Sequence, residues 1–235
     1  MTLTTKRKDD TVDEMWVGLS QPLYEGMPSA STHGAMSVRV QNLPIGPPDA
    51  AVRITHIGMA THVGTHIDAP LHFIGGGRSI DQYPLEAFAG PGTVLDVRRE
   101  GVVALEREEL AAVGGDVREG DIVLLHFGYA ERFGSPDYYD HPYLSDDAAA
   151  WLVERGVRMV GVDTVTPDLP GAYRPADYHF PVHMRLLARD ILIMENVGPG
   201  VAQLAGKRLE ILAVPLPIRG ADGSPVMAMA RETAS

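Results

Sequence analysis

The chain has 235 residues, of which 45% are hydrophobic and 22% are charged, and its formal net charge is -11. This composition fits a globular domain with a buried core, and the negative charge argues against binding to nucleic acid. Because the chain has no cysteine, disulfides are excluded and any metal site must use nitrogen and oxygen ligands. There is no apolar run long enough to span a membrane and no secretory signal, so we expect a cytoplasmic protein with no membrane partner.

The first half of the chain predicts a polar tail followed by alternating short elements. Residues 1–14 read as a disordered N-terminal tail, and residues 15–235 as one domain. Strands are predicted at 52–60, 93–97 and 121–126, and short helices at 84–89 and 107–113. The first of these strands is expected to lead into a histidine-rich segment, which ends at a flexible glycine turn, 75–77.

The second half of the chain continues the mixed pattern. A helix over 145–155 has Ser145 as its predicted N-cap, acidic residues in its first turn and Gly156 after its end. Further strands are predicted at 157–163, 191–194 and 209–214, with a long loop at 165–180 and a helix at 183–188. Several strands are almost continuously apolar, which predicts a single α/β domain with a largely buried mixed sheet. A barrel-like core flanked by helices is equally compatible.

The strongest local feature is a cluster of three histidines and one aspartate, namely His62, His66, Asp68 and His72. These imidazole and carboxylate groups are ligands suited to Zn²⁺, Mn²⁺ or Fe²⁺. A straight strand would put the first two histidines about 13 Å apart, whereas two ligands of one metal need nitrogens about 3 Å apart. Gly64 permits the necessary bend, and Pro70 enforces another. The alternative is a set of buried, hydrogen-bonded histidines with a purely structural role.

The eleven residues from His62 to His72 match the pattern HxGTHxDxPxH at every fixed position. The segment resembles the signature of the cyclase family of metal-dependent hydrolases, which includes bacterial kynurenine formamidases and isatin hydrolases. Residues 161–164, 179–183, 193–196 and 216–230 are also similar to segments of that family. The resemblance therefore covers nearly the whole chain after the tail, and it implies the fold of that family.

The resemblance also implies roles for particular residues. It implies that the metal is held by His62, His66, Asp68, His183 and Glu195, with Asp68 able to bridge to a second ion. It implies that His72 is the acid/base catalyst. The implied cofactor is Zn or Mn, with one or two ions per chain, and the implied assembly is a homodimer or homotetramer. Phe73, His179 and Phe180 are candidates for contact with the substrate, and Asp163 is expected either to orient a histidine or to cap a loop.

The implied function is hydrolysis of an amide, formamide or lactam C–N bond in a small cyclic or aryl substrate. The alternatives are a cyclase or dehydratase, a lactone hydrolase acting on another carbonyl compound, and a metal-binding protein without catalysis. One departure concerns the substrate: where formamidases of the family carry a Trp-Pro-Gly-Asp stretch, this chain continues Gly26-Met27-Pro28-Ser29 without a tryptophan. A second departure is Met227, which stands where the family often has an arginine.

Overall fold

The computed structural model describes residues 15–29, 33–46 and 51–233, so the predicted tail at 1–14 lies outside the described residues. The strands are β1 (Val17–Gly18), β2 (Ser37–Leu43), β3 (Val52–Gly58), β4 (His66–Asp68), β5 (Ala89–Asp96), β6 (Ala104–Leu105), β7 (Ile122–His126), β8 (Tyr143–Leu144), β9 (Met159–Val162), β10 (Leu192–Glu195), β11 (Arg208–Pro215) and β12 (Gly223–Glu232). The helices are α1 (Arg107–Val113), α2 (Asp146–Glu154) and α3 (Pro181–Leu187).

Seven strands form a closed ring in the order β12, β11, β5, β7, β9, β10, β4. Four neighbours, β5, β7, β9 and β10, are parallel. The antiparallel strands β11, β12 and β4 complete the circle, and β4 pairs with both β10 and β12. Of the two architectures left open by the sequence, the structure is therefore the barrel flanked by helices. Closure leaves the ring with no open edge, which protects the backbone polar groups of every strand in it.

The strands of the parallel segment are buried on both faces, which explains their nearly continuous apolar sequences. In β7, Ile122 and Leu124 belong to a cluster that includes residues from all around the ring and thus fills its interior. The alternate residues Val123 and Leu125 belong to a second cluster, which includes the apolar side chains of the helices. The barrel wall therefore separates an inner core from an outer core beneath the helices.

The helices begin where the sequence signals indicate. Ser145 caps α2 by accepting a hydrogen bond from the amide of Ala148 at 3.1 Å. Helix α1 matches its predicted bounds, and Glu106 and Glu109 form a capping box at its start. Helix α3 begins two residues earlier than predicted because Pro181, with its fixed φ, occupies the first helical position. No helix among the described residues is long and apolar enough to cross a membrane.

Some predicted elements differ from the structure. Strand β3 ends at Gly58 and does not lead into the histidine segment; it pairs only with β2, in a hairpin outside the barrel. The helix predicted at 84–89 is a 3₁₀ turn, Leu85–Phe88, because it follows Pro84 directly and ends at strand β5. Strands β1, β2, β6 and β8 were not predicted, and three of these four have only two residues each.

Candidate metal centre and active site

The candidate site lies on the outer wall of the barrel, where β4 pairs with β10. Side chains alternate across a strand, so His66 and Asp68 face away from the interior that contains Ile67. The register of the two strands places His66 directly opposite Glu195. His183 reaches the same place from α3. The structure thus brings together four of the five predicted ligands at one buried point, although they come from distant parts of the sequence.

Two imidazoles and two carboxylates form a nearly closed square at this point. Nε2 of His66 lies 3.3 Å from Oδ1 of Asp68 and 3.3 Å from Oε2 of Glu195. Nε2 of His183 lies 3.3 Å from Oδ2 of Asp68 and 3.2 Å from Oε1 of Glu195. Nε2 of His66 and Oδ2 of Asp68 are buried, and neither has a hydrogen-bond partner among the described residues. Nitrogen and oxygen atoms that converge on one point and lack hydrogen-bond partners are suitable ligands for a divalent cation.

The electrostatics of the square indicate a deficit of positive charge. Burial lowers the pKa of His66, but the adjacent carboxylates Asp68 and Glu195 more than reverse this and raise it to about 10. Burial also opposes the charge on His183, but Asp168, Asp68 and Glu195 hold its pKa well above the ordinary value. The pKa of Asp68 lies well below its usual range despite burial, because histidines surround it. The negative charge of the carboxylates favours protonated imidazoles, and a metal cation can supply the same positive charge in place of the protons.

The orientation of both imidazoles is fixed by their other nitrogens. Nδ1 of His66 donates to the carbonyl oxygen of Gly64 at 2.8 Å. Nδ1 of His183 donates to Oδ2 of Asp168 at 2.6 Å. In each ring this leaves Nε2 facing the carboxylates of the square. Such outer hydrogen bonds fix the tautomer that a metal requires.

Asp168 is a site residue that the sequence analysis missed. It is completely buried and also accepts hydrogen bonds from the hydroxyl of Tyr178 and the backbone amides of Val182 and His183. It therefore caps the start of α3 while orienting the histidine on that helix. It lies in the segment that was predicted only as a loop, and its position 15 residues before His183 carries no local signal.

The bend predicted at Gly64 exists and is firmly held. Gly64 has φ +68°, a left-handed conformation that favours glycine. Its carbonyl oxygen also accepts from Nδ2 of Asn196, at 3.1 Å, and the hydroxyl of Thr65 donates to the carbonyl oxygen of Asn196 at 2.6 Å. These bonds connect the histidine segment to the end of β10. They explain why His66 can enter β4 while His62 remains outside it.

His62 and His72 form the second part of the site. Nδ1 of His62 lies 2.7 Å from Oδ1 of Asp68, so Asp68 contacts His62 as well as both histidines of the square. His72 closes a 3₁₀ turn, Pro70–His72, and its ring stacks on that of His62 with centroids 3.9 Å apart. The His72 side chain is 24% exposed, more than any other histidine of the site. The structure thus places the predicted acid/base residue at the rim of the predicted metal ligands.

Of the three candidate substrate contacts, two aromatic residues line the rim. The ring of Phe73 lies 4.7 Å from that of His72 and 4.5 Å from that of His183. The ring of Phe180 lies 5.1 Å from that of Phe73, and Phe180 has φ 50°, a strained conformation for a bulky residue. His179 is exposed beside them.

Asp163 combines parts of both roles considered for it. It accepts hydrogen bonds from the backbone amides of Phe127, Gly128 and Tyr129, so it caps the loop after β7. It also contacts Nδ1 of His126 at 3.0 Å. His126 is outside the predicted ligand set, so Asp163 orients no ligand of that set.

The sequence of the chain is similar to those of known proteins. The profile of the family described as putative cyclase matches residues 17–169. Kynurenine formamidase of Bacillus anthracis is 31% identical over 217 residues, which cover 92% of this chain and 97% of the relative. Kynurenine formamidase of Bordetella avium (strain 197N) is 33% identical over 185 residues, 79% of this chain and 83% of the relative.

Solved structures give the same result. Isatin hydrolase A from Labrenzia aggregata, bound to benzyl benzoate, matches with a TM-score of 0.81 at 25% identity, over 94% of each chain. Isatin hydrolase A from Ralstonia solanacearum matches with a TM-score of 0.79 at 27% identity, over 93% of this chain and 92% of that one. The signature segment, the closed barrel and these matches have one explanation: the chain belongs to the cyclase family.

Proposed function

We propose that this protein hydrolyses the C–N bond of a small amide, formamide or lactam, with one or two ions of zinc or manganese as cofactor. His62, His66, Asp68, His183 and Glu195 would hold the metal. The relatives, kynurenine formamidases and isatin hydrolases, support amide or formamide hydrolysis by a cyclase-family enzyme that acts on C–N bonds other than peptide bonds.

The observation that carries the proposal is the buried square of donor atoms with an imidazole at its rim. Two of its atoms, Nε2 of His66 and Oδ2 of Asp68, have no hydrogen-bond partner among the described residues. Leaving such atoms unpaired costs about 1–3 kcal/mol each, and more for a charged group, so a ligand that satisfies them is favoured. A purely structural cluster would be expected to pair these atoms internally.

The metal ligands and His72 would have separate roles in the reaction. A divalent ion held by these ligands would supply Lewis-acid chemistry, which polarises a carbonyl oxygen and lowers the pKa of water. Burial lowers the pKa of His72, so its imidazole is neutral near pH 7 and can accept a proton from water as the oxygen adds to the carbonyl carbon. His72 then delivers that proton to the leaving nitrogen as the C–N bond breaks, which yields a carboxylic acid and an amine.

The aromatic rim supports a substrate with a flat apolar group. Phe73 and Phe180 lie next to His72 and His183, at the open side of the square. Aromatic side chains bind flat rings through offset or edge contacts. The segment that lacks the tryptophan of the formamidases places Met27 in a buried cluster with Met36 and Val63. The tryptophan element of the formamidases is therefore absent from this segment, which disfavours N-formylkynurenine as the substrate.

Metal content and turnover test the proposal together. Purified wild type is expected to contain one or two equivalents of zinc or manganese and to hydrolyse at least one of formanilide, N-formylkynurenine and isatin. His66→Ala should lose metal and activity, whereas His72→Ala should keep metal and lose activity. A protein without transition metal even after reconstitution would contradict the hydrolase mechanism. Turnover of simple lactones alone would favour the lactone-hydrolase alternative, and metal without any turnover would favour a binding protein.

The homodimer or homotetramer implied by the family also remains a proposal, and the β2–β3 hairpin supports it. All of β3 is exposed, and Val40, Val52, Ile54 and Ile57 are 37–59% exposed. A two-stranded hairpin is only marginally stable in water by itself, so apolar contact with a second copy would stabilise it. Light scattering should give a dimer or tetramer for the wild type and a smaller species for Ile57→Lys. A monomeric wild type would contradict the proposal.

A further inference from the structure

Arg174 is a half-buried cation beside the aromatic rim, and the proposed mechanism does not use it. Its Cζ lies 4.5 Å from the centre of the Phe180 ring and 5.5 Å from that of Tyr178. Its Nε donates a hydrogen bond to the carbonyl oxygen of Leu169 at 2.6 Å. Because a guanidinium stacks favourably on aromatic faces, these contacts together hold it at a defined position over the rim.

The two terminal nitrogens of Arg174 are free to bind a ligand. Among residues 15–29, 33–46 and 51–233, neither Nη1 nor Nη2 has a hydrogen-bond or ion-pair partner. Acidic residues outnumber basic ones by 31 to 20 in this chain, so carboxylate partners for a cation are abundant. The guanidinium carries its N–H donors in a planar fork that matches the two oxygens of a carboxylate. Arg174 therefore presents an unused carboxylate-binding group.

Ring contacts connect this guanidinium to the metal centre. The Phe180 ring, on which Arg174 stacks, lies 6.2 Å from the ring of the predicted ligand His183. It also lies 5.1 Å from the ring of Phe73, which is 4.7 Å from the ring of His72. One aromatic layer thus separates the guanidinium from the residues that would perform the hydrolysis.

The buried imidazole of His141 gives a second indication of the same proximity. Burial lowers the pKa of His141, which is 1% exposed. Of the charges that act on it, Glu195 raises this pKa whereas Arg174 lowers it. Coulombic effects on a pKa are strong only at short range. Arg174 and the predicted ligand Glu195 therefore both lie close to one imidazole.

We propose that Arg174 determines specificity by binding a carboxylate that the substrate carries on its aromatic ring. The inference rests on the proposed function, and it narrows the substrate class from aryl amides in general to benzoates with an amide or formamide substituent. The amide would lie beside His72, the aromatic ring against Phe73 and Phe180, and the carboxylate at Nη1 and Nη2 of Arg174. A rigid ring with its reacting group and its anionic group at different positions matches this arrangement of the site.

Paired substrates test the proposal. Meta- and para-formamidobenzoate are compared with formanilide, which has the same ring and formamide group but no carboxylate. In the metal-loaded wild type, kcat/KM for at least one of the benzoates should exceed that for formanilide by about 10-fold or more. Arg174→Gln should lower kcat/KM for that benzoate about 10–100-fold, mainly through KM, and should change the value for formanilide far less.

The conservative variant Arg174→Lys should keep part of the preference, because it keeps the charge but loses the planar fork. A wild type that does not prefer either benzoate to formanilide would overturn the proposal. A preference that is unchanged in Arg174→Gln would overturn it as well, because the carboxylate would then be recognised by another group.

Arg155→Gln is the matched control. Arg155 also combines stacking with a hydrogen bond to a carbonyl oxygen: its Cζ lies 5.5 Å from the Trp151 ring, and its Nη2 donates to Val117 at 2.5 Å. Neither contact involves a residue of the site. The substitution changes the net charge by the same amount, so the preference should be that of the wild type. A loss as large as that in Arg174→Gln would assign the effect to overall charge and overturn the proposal.

A binding measurement separates this proposal from the proposed function, because it needs no turnover. Calorimetry compares aniline with meta- and para-aminobenzoate, the amines that hydrolysis would release. At least one aminobenzoate should bind metal-loaded wild type with a Kd about 10-fold or more below that of aniline, and Arg174→Gln should abolish the difference. If this holds but no amide is hydrolysed, the proposed reaction fails and the carboxylate site stands. Aminobenzoate binding that is equal to that of aniline, or unchanged in Arg174→Gln, would overturn the carboxylate site even if formanilide is hydrolysed.

Discussion

Replacing Asp168 tests whether a buried carboxylate outside the metal ligands controls metal affinity. Asp168 accepts four hydrogen bonds, two of them from the side chain and the amide of His183. Burial raises the pKa of its carboxyl, but the hydrogen bonds from His183 and Tyr178 and the charge of His183 together outweigh this, so the net shift of the pKa is downward and the carboxyl is ionised at neutral pH. Asp168→Ala removes both acceptor oxygens and with them all four hydrogen bonds. Asp168→Asn removes the charge but can turn its oxygen toward His183 and keep that contact.

The expected loss of stability follows from the hydrogen-bond donors that lose their acceptor. In Asp168→Ala the amides of Val182 and His183 become unpaired, at about 1–3 kcal/mol each, so the free energy of unfolding should fall by about 2–6 kcal/mol. For a domain of this size each kcal/mol lowers Tm by about 2–4 °C. Without its acceptor at Nδ1, His183 can place its proton on Nε2, which blocks the metal. Loss of such an outer partner typically costs about 10–100-fold in metal affinity.

Competition of zinc between the protein and a chromophoric chelator measures this affinity, and thermal unfolding of the metal-free protein measures stability. The expected order of affinity is wild type, then Asp168→Asn, then Asp168→Ala. Tyr178→Phe is the control, because it removes one hydrogen bond to the same carboxylate and leaves His183 in contact. A folded Asp168→Ala protein whose zinc affinity is within twofold of wild type would refute the reasoning.

Three further predictions concern protons, backbone approach and the barrel core. The carboxylates hold the pKa of His66 at about 10 without metal, so metal binding at neutral pH must displace a proton. The affinity for metal should therefore rise with pH up to about 10 and fall in acid. Calorimetry in buffers of different ionisation enthalpy should detect the released proton. Gly223→Ala should reduce metal content and Tm, because the added Cβ would lie 2.6 Å from the carbonyl oxygen of Ile67. Gly18→Ala is the control and should behave as wild type, because a Cβ there has nothing within 4 Å. Leu124→Ala should lower the free energy of unfolding by about 2–5 kcal/mol in denaturant titration without changing metal stoichiometry, because Leu124 packs inside the barrel.

Local sequence patterns predicted much of the fold because their physical causes are local. The bounds of α1 and the cap of α2 by Ser145 follow from side chains that bond to amides three residues away. The apolar runs of the parallel strands reflect burial on both faces. Short strands such as β1 and β6 have no such signal, since two residues cannot establish a period.

The sequence also determined the core of the site. The spacing of His66 and Asp68 places them on one face of strand β4, and Gly64 has the left-handed conformation of the predicted bend. Which carboxylates support the histidines was decided only by tertiary structure. Asp222 meets His62 across 160 residues because closure of the barrel pairs β12 with β4. The barrel closes only if the registers of all seven strand pairs are compatible with one another. The periodicity of a single strand segment carries no information about the registers of the other pairs.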